Sequence, residues 1–155
     1  IEAKSAGLIV PFEEFASAFK SRVHGIGKLL ALMDSWEGAL YVQRVWCVFE
    51  LYTSMSLQDC DPINHSLEML IFPREAANFR SRLAEGDGLD HIWKALKNIK
   101  VENADAYVKE DRDRILHLVQ EGPGFPRMNR EIVNHLHGWF VRNSEGYLRQ
   151  KLRGK

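Results

Sequence analysis

What the chain lacks excludes most function classes. Two cysteines, Cys47 and Cys60, in 155 residues are too few for a disulfide framework. We read both as reduced thiols, which places the protein in a reducing compartment. That compartment is the cytoplasm in the first instance; an organelle stays open because the chain starts at Ile1 rather than Met. No apolar run approaches the ~20 residues a membrane-crossing helix needs, and no signal-peptide pattern is present, so a soluble protein is expected. There is no surplus of one charge, with lysine plus arginine and aspartate plus glutamate at 21 each. A nucleic-acid partner is therefore not expected. Histidine numbers six, but His135 and His137 are two apart on a predicted helix and face opposite ways, so no metal site is expected. Gly86-Asp87-Gly88 and Gly122-Pro123-Gly124 punctuate loops without the spacing or the lysine of a phosphate-binding loop. No cofactor motif, internal repeat or low-complexity stretch is present.

What remains is a chain of 45% hydrophobic composition, which fits one globular domain over 1–155 with an ample core. Gly7-Leu8-Ile9-Val10 is a short apolar run ended by Pro11. From there Phe12, Phe15, Ala16, Phe19 and Val23 predict a helix that stops at Gly25. Segments 27–34 and 67–72 read as buried strands, the second closed by Pro73. Polar or amphipathic helices are expected over 75–83, from 89, over 108–120 and over 126–142. In the last, Met128, Ile132, Leu136, Trp139 and Phe140 make the apolar face. Ile99 and Val101 suggest a third short strand. Strands alternating with helices predict an α/β layer arrangement with a mainly parallel sheet, its core over roughly 7–101 and a helical C-terminal part over roughly 102–155.

The stretch Tyr41-Val42-Gln43-Arg44-Val45-Trp46-Cys47-Val48-Phe49-Glu50-Leu51-Tyr52 belongs to a helix predicted over 40–57 and apolar around most of its circumference. At about 100° per residue, Gln43, Cys47, Glu50 and Ser54 form one narrow polar stripe. An unpaired buried carboxylate is costly, so Glu50 must find a partner, reach water or bind something.

Arg44-Val45-Trp46-Cys47-Val48-Phe49-Glu50-Leu51 resembles the Trp-Cys-x-x-Glu segment of the Toll/interleukin-1 receptor (TIR) superfamily. With Ile26 to Leu30, Asp34-Ser35-Trp36, the pattern Val101 to Ala106, Asp111-Arg112-Asp113-Arg114-Ile115 and Asn129, it looks like the Arg-x-Trp-Cys-x-x-Glu type found in single-celled eukaryotes. The resemblance implies a flavodoxin-like parallel sheet, here N-terminally truncated, because few residues precede the 27–34 strand. It also implies one of two functions. In signalling members the domain makes homotypic contacts; in enzymatic members the glutamate of the motif, by position Glu50, cleaves nicotinamide from NAD. Enzymatic members carry a small polar residue ahead of Trp-Cys, where Arg44 or Val45 stands here.

Chemistry gives the second reading a site. Ligands of open parallel sheets sit beyond the carboxyl ends of the strands, where Asp34, Ser35 and Trp36 follow 27–34. Glu50 would stabilise the oxocarbenium-like cation of nicotinamide–ribose cleavage, and Trp36 would stack on a flat ring. Arg44, Trp46 and Cys47 complete the candidate substrate-binding set, with Arg44 either paired with an acid or anchoring a phosphate. The structural alternative has Glu50 accepting hydrogen bonds from an arginine or backbone amides. Cys47 lacks a histidine on its helix and reads as a small hydrophobe. The C-terminal run Arg142, Arg149, Lys151, Arg153 and Lys155 reads as a solvated end or a docking tail for an acidic partner. The preferred expectation is an interaction or assembly module, a subunit with a protein partner or a second copy and no cofactor. The alternative is an NAD-cleaving hydrolase with NAD as substrate.

Overall fold

A computed structural model describes residues 12–86 and 88–153. The expectations placed on Gly7 to Pro11 lie outside the described residues. The elements in chain order are α1 (Phe12–Ile26), β1 (Lys28–Met33), α2 (Val45–Cys60), β2 (Ser66–Ile71), α3 (Pro73–Glu85), α4 (Gly88–Lys97), α5 (Lys109–Glu121) and α6 (Phe125–Arg153), with 3-10 turns at Leu40–Gln43 and Val101–Asn103. The architecture is mixed α/β. Strands β1 and β2 pair in parallel, Lys28 opposite Ser66 through Met33 opposite Ile71, and α2 makes the crossover between them.

Helix α2 is the centre of the molecule. Val45, Val48 and Leu51 are wholly buried on it, and it packs against α1, α5, α6 and β2. It starts later than the spacing predicts. A bridge to Asp105 interrupts the backbone at Arg44: the Val45 amide donates to the Asp105 carbonyl and the Asp105 amide to that of Gln43, at 2.9 and 2.8 Å. Gln43 therefore belongs to a separate 3-10 turn, where its Nε2 donates to the Gly38 carbonyl, and not to a stripe continuous with Glu50.

No strand forms at Ile99 and Val101; Val101 opens the 3-10 turn Val101–Asn103 instead. The Val101 amide donates to Asn129 Oδ1 at 2.8 Å, and the Val101 carbonyl accepts from Ala104, which occupies the groups a ladder would use. The C-terminal helices are part of the core: Ile115, Val119, Met128, Ile132 and Leu136 join the same cluster as Ala31, Met33 and Val45. Helix α6 runs past the expected stop at 142 to Arg153.

Among the described residues the sheet is covered on one face. Ala31, Met33 and Met69 are buried, and Leu29, Leu67 and Ile71 are half-buried on the same side. The opposite positions, Lys28, Leu30, Leu32, Ser66, Glu68 and Leu70, are exposed. Parallel sheets are ordinarily covered on both faces, so this open apolar surface is the least expected feature of the fold.

Candidate functional site

The loop after β1 is built by short polar contacts. Asp34 Oδ1 accepts from the Leu40 amide at 2.8 Å, satisfying a donor at the start of the 3-10 turn. Ser35 Oγ accepts from the Glu37 amide. Asp34 and Ser35 thus shape the loop. Trp36 turns inward: it is 2% exposed and meets Phe79 edge-on at 5.4 Å between ring centroids. Its ring is packed into the core, away from the open surface.

Glu50 is half-buried on the second turn of α2. Burial pushes its carboxyl above the usual range. Neither a hydrogen bond to an arginine nor one to a backbone amide engages it among the described residues. Cys47, three residues earlier, is half-buried, its thiol raised by burial first and then by Glu50, with the Arg44 guanidinium working against both. A thiol held protonated is a poor nucleophile. The Tyr41 hydroxyl is buried without a hydrogen-bond partner among the described residues. It is pushed far up by burial, then by Glu50 and Cys47. Tyr41, Cys47 and Glu50 therefore form one electrostatically linked group at the amino-terminal half of α2, with the exposed Arg44 at its edge. Trp46 is half-buried against the core.

Spacing did not reveal a separate cleft, between the 3-10 turn at Leu40–Gln43 and the segment 98–105. About 380 Å³ in volume, it is lined by Glu37 and Gln43 on one side and by Asn98, Lys100, Asn103 and Asp105 on the other. Its far wall lies more than 50 residues along the chain, and only folding of the 101–103 turn brings it there. That turn is clasped by residues of the later family-like pattern. Asn129 Nδ2 donates to Glu102 Oε2 at 2.9 Å, and the Arg112 guanidinium donates to the carbonyls of Ala104 and Glu102 at 2.8 and 2.9 Å. Glu102 is held below the usual carboxyl range, chiefly by Asn129. These polar residues hold architecture.

Other candidates separate. His135 and His137 stay apart in role: His137 stacks on Trp93 with centroids 4.7 Å apart, and no metal-ligating cluster exists among the described residues. No helix among the described residues is long and apolar enough to cross a membrane. Arg149, on the basic C-terminal run, lies 4.0 Å from Glu145. No protein-family model, curated protein or solved structure matches the chain.

Proposed function

We propose that this chain is a TIR-like interaction and assembly module on a flavodoxin-like frame, with no chemistry of its own, and that its open sheet face receives a second copy. The observation that carries the reading is the uncovered apolar face, where Leu30, Leu32, Leu70 and the adjoining Phe72 are 54%, 45%, 38% and 47% exposed. Contiguous exposed apolar surface marks an interaction site. Its charges suit self-association: Lys28 and Glu68, paired at 2.8 Å, put one charge of each sign on the face. A two-fold axis along the strands lays β1 of one copy over β2 of the other. Leu32 then covers Leu70, and each Lys28 reaches the Glu68 opposite. Size-exclusion chromatography with light scattering tests this: a dimer that dissociates on dilution supports the module, and a monomer at about 100 μM, where even weak pairing is populated, overturns it.

Glu50 favours a second reading, an NAD-cleaving hydrolase. A half-buried carboxylate without an ion-pair partner among the described residues is what a cationic nicotinamide riboside would neutralise. Arg44 would take a phosphate, and Trp46 and Cys47 would border the site. Nicotinamide release from NAD by the parent, lost in Glu50→Gln, supports this reading; a parent that releases none ends it.

A further inference from the structure

A second cleft, of about 270 Å³, lies where the carboxyl end of β2 meets α3 and α6. Its apolar wall is Ile71, Phe79 and Trp139, and two arginines line it from different helices, Arg80 on α3 and Arg142 on α6. The ion pairs recorded on these helices belong to Arg82, Arg127 and Arg149, so the described acids leave Arg80 and Arg142 uncompensated. Arginine stays charged at any ordinary pH. Two guanidinium groups set beside one hollow make a fork that matches a phosphate or carboxylate.

The walls are fixed rather than adaptable. Trp139 Nε1 donates to the Met69 carbonyl at 3.1 Å, and its ring meets Phe140 edge-on at 4.9 Å. Phe79 is locked between Trp36 and Phe140. Arg142 folds back along α6: a β-carbon on Gly138 would come 3.2 Å from its Nη1. The glycine leaves the space that the guanidinium uses. Its charge is felt nearby, since His135 is held below the usual histidine range by burial first and by Arg142 second.

We propose that this cleft binds a small organic phosphate, its anionic head gripped by Arg80 and Arg142 and its carbon skeleton resting on Phe79 and Trp139. The position is the one ligands take in parallel α/β folds, beyond the carboxyl end of a strand. The volume is close to the ~300 Å³ lower end of small-molecule pockets, which selects a mononucleotide or sugar phosphate over anything larger. The inference is independent of the sheet-face dimer.

Isothermal titration with AMP, glycerol 3-phosphate and inorganic phosphate tests it. The expected result is saturable binding of an organic phosphate more tightly than of inorganic phosphate. Arg80→Ala and Arg142→Ala should each weaken it by about tenfold or more, as loss of a charged hydrogen bond does. Both side chains are exposed, so both variants should fold, which circular dichroism checks. Ala76→Leu should narrow the cleft and weaken AMP while sparing inorganic phosphate. Absence of saturable binding by about 10 mM, beyond the weak end of specific recognition, overturns the proposal. So does binding indifferent to both arginine substitutions, or an acidic peptide bound more tightly through the same two residues.

Discussion

Ser54 and His65 share a 2.7 Å hydrogen bond and are 0% and 1% exposed, while the other ring nitrogen, Nδ1, has no partner among the described residues. Ser54→Ala would leave both nitrogens of a buried imidazole unsatisfied, and the expected cost is about 1–3 kcal/mol, read as a lower urea midpoint at unchanged slope. The sequence put Ser54 on a polar stripe, but its partner lies eleven residues on, across the turn from α2 to β2, where periodicity carries no information. Glu50 makes the opposite prediction. Its carboxyl is raised by burial, so the folded chain holds a proton that the unfolded chain releases. Stability should then fall as pH rises from the ordinary carboxyl range through the raised value. Glu50→Gln removes that loss: parent and variant should unfold alike near pH 4, and the variant should be the more stable at pH 8, as paired urea titrations would show.

Elements were legible where apolar spacing was long and regular, and less so where single backbone contacts decide. Helices α5 and α6 follow Ile115, Val119, Met128, Ile132 and Leu136, all buried as the spacing implies. The end of α6 was not legible because Asn143, Ser144 and Gly146 are weak helix formers that read as a stop, whereas the helix runs through them to Arg153. The start of α2 was misplaced because the bridge from Arg44 to Asp105 joins residues 61 positions apart. Gly27 marks the seam between α1 and β1. Its φ is +73°, and a β-carbon there would lie 2.8 Å from the Asn64 carbonyl oxygen. The Gly27 carbonyl also accepts the Ser66 amide at 2.9 Å. Gly27→Ala should therefore cost more than about 1 kcal/mol, lowering Tm by at least about 2–4 °C for a domain of this size.

At the scale of the whole molecule, the apolar runs 27–34 and 67–72 correctly signalled neighbouring parallel strands. An apolar run predicts burial on both sides, however, and cannot tell a face covered by the chain itself from one left open. A dimer through that face would bury each leucine twice, once per copy. Leu32→Glu would therefore cost both copies a buried side chain of ~1.5–3 kcal/mol each and set a carboxylate in their place. The dimer dissociation constant should rise by about a hundredfold or more, as sedimentation equilibrium would measure, with the monomer's far-ultraviolet circular dichroism unchanged.

The indole of Trp139 gives this small sheet a direction. The Ser66 amide turns toward β1 to meet the Gly27 carbonyl, so by the two-residue alternation of a strand the backbone groups of Met69 turn the other way. The Met69 carbonyl is the one that accepts the Trp139 N–H. The outer margin of β2 is thus stoppered at its middle by a side chain from α6, whereas the backbone of Lys28, Leu30 and Leu32 turns outward along β1. Among the described residues, an additional strand would meet an occupied acceptor on the β2 flank and outward-turned backbone groups on the β1 flank.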